Sequence, residues 1–240
     1  MKTVLITGAS KGLGRALAKE LQNRNYQVIA SARNINDLND LEVFRKISLD
    51  ISNTDSILNA KKEIKVVDII INNAAISISG AIETVDIDAA TNVFNVNFFG
   101  AMRIFQAFTS LMRKKGSGLK VNISSGTATQ APPLQGIYAA SKAAFDIMCE
   151  AYRMEVQPFG IFVMQFHSTG IATQMRKEQT TYSNRYYEEI TEKVKQIEHN
   201  MLGVLPENLA KAIANFIEQQ TLRPFISVQD VMNEINTVDK

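Results

Sequence analysis

The chain has 240 residues, 45% of them hydrophobic and 21% charged. These are ordinary globular proportions, which exclude disorder as the main state and leave ample length for a buried core. With 26 Lys+Arg against 24 Asp+Glu the formal net charge is only +2, so no strong field favours nucleic acid or another polyanion.

From Thr3 to Thr7 runs a short, β-rich apolar segment, then a glycine-rich turn. Leu13, Ala16, Leu17 and Leu21 then mark one face of a helix. Val28 to Ala30 and Val66 to Ile71 predict two more strands, and Lys120 to Ser124 and Ile161 to Phe166 a further two. Nearly continuous apolar runs of this kind suit parallel strands covered on both faces. Helical patterns lie between and after them, at roughly Asp88 to Lys115, Gly136 to Gln157, Met175 to Asn200 and Glu207 to Gln220, the last following Pro206. A final strand is expected near Phe225 to Val228. Alternating strand and helix, with no repeat or linker, predicts an α/β fold. The expectation is one domain over residues 1–240, a Rossmann-type, doubly wound parallel sheet with helices on both faces.

The basic groups Lys61-Lys62 and Arg113-Lys114-Lys115 read as solvated helix faces or ends. One cysteine, Cys149, excludes an intrachain disulfide and favours a reducing, cytoplasmic setting. Two histidines and one cysteine suggest no metal centre. The opening apolar run is too short for a secretory signal, and no stretch approaches the roughly 18 apolar residues of a membrane span.

Residues 7 to 14 read Thr-Gly-Ala-Ser-Lys-Gly-Leu-Gly, placing Gly8, Gly12 and Gly14 between the first strand and the first helix. Glycines there let the backbone turn tightly and approach a pyrophosphate, whose charge then sits at the helix N-terminus. At the end of the second strand a carboxylate would suit the ribose 2′-hydroxyl of NAD, whereas a cation suits a 2′-phosphate. The residues here are Ser31-Ala32-Arg33, with Asp37 and Asp40 further on and Lys11 inside the glycine loop. NADP(H) is therefore expected in preference to NAD(H), because Arg33 can grip a phosphate bidentately.

Tyr138 and Lys142 are four apart at the start of a helical pattern, so they share a face. An ammonium about 4 Å from a phenol contributes about 4 kcal/mol at an effective dielectric constant near 20, enough to lower its pKa by about three units. Ser125 stands thirteen residues before Tyr138, at the end of a strand. In open α/β sheets that is where the ligand crevice lies.

Together these motifs resemble the short-chain dehydrogenases and reductases of the classical type, in order from residue 3 to about residue 173. The TGxxxGxG loop corresponds to Thr7 to Gly14, and the acidic residue near the adenine to Asp50-Ile51. The NNAG strand end is matched by Asn72-Asn73-Ala74-Ala75, with alanine for the last glycine. The helix asparagine falls on Asn97, the serine on Ser125, and YxxxK on Tyr138 and Lys142. The resemblance implies hydride transfer between nicotinamide and a carbonyl or alcohol substrate. Tyr138 would be the acid or base, Ser125 the holder of the substrate oxygen, and Lys142 the ligand of the nicotinamide ribose. Asn97 would hold a water that passes protons from Lys142 to solvent. Cofactor contacts are implied for Gly8, Ser10, Lys11, Gly12, Leu13, Gly14, Arg33, Asp50, Ile51, Asn73 and Ala74. Tyr138, Lys142, Ile171 and Thr173 complete that set.

One departure is visible: Ser168-Thr169 stand where the family has Pro-Gly. The replacement is similar to that in a branch of lipid-carbonyl, steroid and retinoid reductases. His167 beside it reads as a packed neighbour. Met175 to Asn200 is expected to cover the substrate, with Tyr182 and Tyr186 on one helix face and Tyr187 beside them. The resemblance also implies a homodimer or homotetramer. The alternative function is a non-catalytic NADP(H) sensor or scaffold, and such proteins usually lose the tyrosine or the lysine. An extended nucleotide-sugar epimerase would need a larger C-terminal part.

Overall fold

The computed structural model of the chain describes residues 1–168, 175, 179–200, 203–219 and 222–238. In chain order the first half contains β1 (Thr3–Ile6), α1 (Gly12–Asn23), β2 (Gln27–Ala32), β3 (Arg45–Ser48), α2 (Thr54–Glu63), β4 (Ile69–Asn72), β5 (Ile78–Gly80), α3 (Ile87–Phe94) and α4 (Ala101–Lys115). The second half contains β6 (Gly118–Ser125), α5 (Gly136–Val156), β7 (Ile161–Ser168), β8 (Thr180–Tyr182), α6 (Glu188–Asn200), α7 (Pro206–Glu218), β9 (Phe225–Ile226) and α8 (Val228–Val238).

Seven of the strands form one sheet in the order β3-β2-β1-β4-β6-β7-β9, and every pairing in it is parallel. The winding reverses beside β1, which pairs with β2 on one side and β4 on the other. The crevice outside the strand ends at such a switch point is where ligands of doubly wound sheets bind.

Strand alternation builds two cores. Val4 and Ile6 of β1, Ile69 and Ile71 of β4, and Val121 and Ile123 of β6 face the layer formed by α1, α7 and α8. Leu5, Ile70 and Val163 face α2, α4 and α5. The α1 stripe predicted from spacing is buried as expected: Leu13, Ala16, Leu17 and Leu21 all lie in the first core. Among the described residues no helix is long and apolar enough to cross a membrane.

Three expectations are corrected. The helix expected over Asp88 to Lys115 is present but carries a π-helical turn at Asn95–Gly100, between α3 and α4. The helix expected over Met175 to Asn200 is interrupted: Thr180–Tyr182 is a strand and the helix begins at Glu188. Thr180, Thr181 and Tyr182 are β-formers, and β5 supplies the partner that no local pattern announces. In consequence Tyr182 and Tyr186 share no helix face, and Tyr186 is exposed. The strand expected from Val66 starts at Ile69, with Val66 in solvent. β3, α2, β5 and α8 form where the sequence pattern predicts no element.

The sequence likewise gave no reason to expect a buried lysine inside β6. By alternation Lys120 faces α4 and α5, and it is fully buried. Its Nζ donates to Tyr152 Oη (2.7 Å) and Thr109 Oγ1 (2.9 Å), and it lies over the stacked rings of Phe105 and Tyr152. Burial pushes this ammonium down from 10.5 to about 7. Because the folded value is the lower one, the unfolded chain binds more protons between pH 7 and pH 10.5, and stability rises with pH across that window. Below about pH 7 both states are protonated and the burial cost is present in full. We expect the unfolding free energy of Lys120→Met, relative to the parent, to change by about 1 kcal/mol per pH unit between pH 7 and pH 10, as read by urea titrations.

Candidate active site

The site begins at the turn after β1. Gly8 has φ +69° and Gly12 φ +56°, left-handed conformations that side chains with a Cβ adopt at a cost. A Cβ on Gly8 would stand 2.8 Å from Ala74 Cα, and one on Gly14 would collide with the Gly8 carbonyl oxygen and the Asn73 amide. The loop is held from β4: Asn73 Nδ2 donates to the carbonyls of Thr7 (3.0 Å) and Gly8 (3.1 Å). Thr7 Oγ1 accepts from the backbone of Asn73 and Ala74, both at 3.1 Å.

At the start of α1 the N-cap, Lys11, supplies no side-chain acceptor, and the first turn has no acidic residue. A helix N-terminus in that state suits an anion, so the cradle fits the pyrophosphate of a dinucleotide. Gly14→Ala is expected to cost about 1–3 kcal/mol of stability through overpacking and to weaken dinucleotide binding, as measured by urea unfolding and fluorescence titration.

One cavity of about 1120 Å³ runs along the carboxyl ends of the strands. Gly8, Ser10, Lys11, Gly12, Leu13, Arg33, Asp50, Ile51, Asn73 and Ala74 line it at one end. Arg33 follows directly on β2 and is exposed into solvent. Asp40, by contrast, is drawn to Arg15 at 2.6 Å, and that guanidinium holds its carboxyl below the usual carboxylate range. Asp50 accepts from Ser52 N (2.9 Å) and Ser52 Oγ (2.6 Å). Gly14 is buried beneath the loop. Ile171 and Thr173 lie outside the described residues.

Ser125, Tyr138 and Lys142 line the middle of the same cavity. Ser125 ends β6, and its Oγ accepts from Thr127 N (3.2 Å) and Thr127 Oγ1 (2.9 Å). Those two donors leave the serine proton to be given outward. Thr127 escaped the sequence reading, and only its place two residues after a strand-end serine could have signalled it.

Lys142 is buried; its Nζ donates to Ile123 O at 2.8 Å and stands 5.9 Å from the centre of the Tyr138 ring. Burial pushes the ammonium down to about 8, against the opposing charge of Asp146 one helical turn on. It is therefore mainly a cation at neutral pH. A cation so close to the ring favours the phenolate form of Tyr138 over the phenol.

Asn97 sits in the π-helical turn with its side chain buried. Its Oδ1 accepts from Ile76 N (2.9 Å), and its Nδ2 donates to Ile76 O (2.9 Å) and Ser141 Oγ (3.0 Å). The amide thus joins the loop after β4 to α5, with both Nδ2 protons committed to Ile76 O and Ser141 Oγ. His167 lies 2.7 Å from Asp146 Oδ2 but off hydrogen-bond alignment, and its ring meets Phe225 edge-on. It is a packed residue, as expected.

At the far end the cavity is lined by Ile76, Val96, Pro132 and Pro133. Ile190, Val194 and Ile197 of α6, spaced four and three apart, add one helix face, with Lys193 beside them. Tyr182, Tyr186 and Tyr187 do not line it. Aliphatic side chains take that place.

The family model of the short chain dehydrogenases matches residues 2–184. The chain belongs to that family. This short-chain dehydrogenase is 31% identical over 227 residues to a 3-ketodihydrosphingosine reductase of Bacteroides thetaiotaomicron, covering 90% of this chain and 84% of that protein. It is 32% identical over 186 residues to an NADPH-dependent 1-acyldihydroxyacetone phosphate reductase of Schizosaccharomyces pombe, covering 74% of this chain and 62% of that protein. Among solved structures, a short-chain dehydrogenase of Streptomyces avermitilis superposes with TM-score 0.86 at 28% identity, covering 99% of this chain and 93% of that one. The short-chain dehydrogenase is accordingly an oxidoreductase that uses a nicotinamide dinucleotide on carbonyl or alcohol substrates.

Proposed function

We propose that this enzyme uses NADPH to reduce the ketone or aldehyde carbonyl of an apolar, lipid-like substrate. The observation that carries the reading is the continuity of one cavity. It joins the dinucleotide cradle and Arg33 to Ser125, Tyr138 and Lys142, and these to the aliphatic wall of α6. When bound, the nicotinamide supplies the hydride. The chain's residues do the rest. Ser125 donates its hydroxyl proton to the substrate oxygen, Tyr138 gives up its phenolic proton to the alkoxide, and the Lys142 ammonium lowers the cost of the phenolate left behind. Lys142 and Tyr138 would also meet the ribose, while Arg33 and Lys11 would hold the 2′-phosphate. Ile171 and Thr173 would meet the carboxamide, and residues 175–200 would form the cover.

Names among the relatives support the substrate class, since 3-ketodihydrosphingosine and 1-acyldihydroxyacetone phosphate both carry a ketone and an apolar chain. The test is a panel of aldehydes, ketones, steroids and acyl ketones, each followed by loss of NADPH absorbance. Turnover of long-chain ketones is expected; a flat panel together with tight NADPH binding would replace the reductase by a sensor. Exposed Met102 on α4 and Ile147 and Met154 on α5 further support pairing of subunits through those two helices. Sedimentation velocity is expected to show a dimer or tetramer.

A further inference from the structure

The strands β5 and β8 stand apart from the main sheet and pair in parallel, Ile78 with Thr180, Ser79 with Thr181 and Gly80 with Tyr182. Three-residue strands in a two-stranded ladder are marginal on their own, and here side-chain bonds close the ladder at both ends. Ser77 Oγ donates to Gln179 Oε1 at 3.0 Å, and Thr84 Oγ1 shares its one proton between Ala81 O at 2.9 Å and Tyr182 O at 3.1 Å. Gly80 has no room for a side chain: a Cβ would stand 2.8 Å from both Tyr182 Cβ and Tyr182 O.

Both edges of this small ladder lead into the cavity. On one edge Gly80 N donates to Leu134 O at 2.8 Å. Leu134, at φ +65°, belongs to the connection that enters α5 four residues before Tyr138. On the other edge Tyr182 runs into Ser183, whose Oγ lies 3.0 Å from Thr191 Oγ1 on α6. The Ile190–Val194–Ile197 face borders the cavity from that helix. The ladder therefore spans from the catalytic helix to the aliphatic wall.

We propose that the β5–β8 ladder is a clamp that sets the distance between Tyr138 and the α6 wall, making Gly80 and Thr84 specificity-determining positions that favour long apolar chains on the carbonyl substrate. The inference rests on the reductase reading above. A long chain on a ketone held at Ser125 and Tyr138 would extend along the cavity that the α6 face also lines, and a short ketone would use less of that face.

The experiment compares the parent enzyme with Thr84→Ala, Thr84→Ser and Gly80→Ala, using dodecanone and butanone with saturating NADPH. Loss of one hydrogen bond in Thr84→Ala should raise KM for dodecanone about threefold to tenfold. Its kcat, the kcat/KM for butanone and the NADPH affinity should stay within about twofold of the parent. Thr84→Ser, which keeps the hydroxyl, should behave as the parent, and Gly80→Ala should shift KM in the same direction as Thr84→Ala. Equal losses on both ketones, a parallel loss of NADPH affinity, or failure of serine to rescue would overturn the clamp. If the parent reduces neither ketone nor any other member of the panel above, the reductase reading fails by itself. The clamp is then judged by amide hydrogen exchange at residues 180–182: faster exchange in Thr84→Ala supports it, and unchanged exchange overturns it.

Discussion

Tyr138→Phe is expected to lower kcat by about a thousandfold, within the range that a positioned acid contributes, while NADPH affinity stays within about twofold of the parent. The contrast follows from what the substitution removes. Phenylalanine keeps the ring whose centre lies 5.9 Å from Lys142 Nζ, so packing at the start of α5 is retained and only the hydroxyl is lost. Ser125 and its two Thr127 bonds would still polarise the carbonyl, but no group of matched acidity would deliver the proton. Lys142 cannot substitute, because its Nζ is tied to Ile123 O and buried. Stopped-flow titration for NADPH binding and steady-state turnover on a reducible ketone separate the two effects. A variant with full activity would remove Tyr138 from the chemistry.

The second large effect concerns cofactor choice. Arg33→Asp is expected to lower the preference for NADPH over NADH by about tenfold to a hundredfold, the scale of one charge-assisted hydrogen bond to phosphate turned into repulsion. Arg33 lines the cavity where β2 ends, and the carboxylate of Asp40 is already committed to Arg15. An aspartate at 33 would also accept from a ribose 2′-hydroxyl, so NADH affinity should hold or rise as NADPH affinity falls. Paired binding isotherms for the two dinucleotides give the ratio directly. An unchanged ratio would take the 2′-phosphate away from Arg33.

Much of this architecture could be read from local pattern, and the parts that could not share a cause. The α1 stripe, the apolar parallel strands and the ordered motifs from Thr7 to Lys142 are written in spacings of a few residues; Gly8, Gly12, Asn73, Ser125, Tyr138 and Lys142 line one cavity, while Gly14 and Asn97 are not in its lining. The β5–β8 ladder joins segments about a hundred residues apart, and neither strand is long enough to show a period. Lys120 begins a strand that the apolar run predicts, and alternation turns its side chain into the α4–α5 core, where Tyr152 and Thr109 satisfy it. Asn97 was found by its motif, yet the bonds that occupy its amide come from Ile76 and Ser141, which no spacing rule connects to it. Tyr182 and Tyr186 share no helix face for a simpler reason: a helical period does not apply to a stretch that contains a strand.

The π-helical turn at Asn95–Gly100 also solves a problem of angular phase. Asn92 and Val96 line the cavity, whereas Ile104, Phe105 and Phe108 must point into the core beneath the sheet. On an unbroken α-helix each residue advances about 100°, and an extra residue absorbed in a wide turn rotates everything after it by about that amount. Twelve residues separate Asn92 from Ile104, about 120° of rotation on an unbroken helix; the wide turn takes back about 100° of it and so keeps the cavity-lining and core-packing side chains on nearly one side of the rod. Removing a single residue from it would straighten the rod and swing Ile104, Phe105 and Phe108 about a quarter-turn out of the core, so the length of this segment is constrained independently of the asparagine it carries.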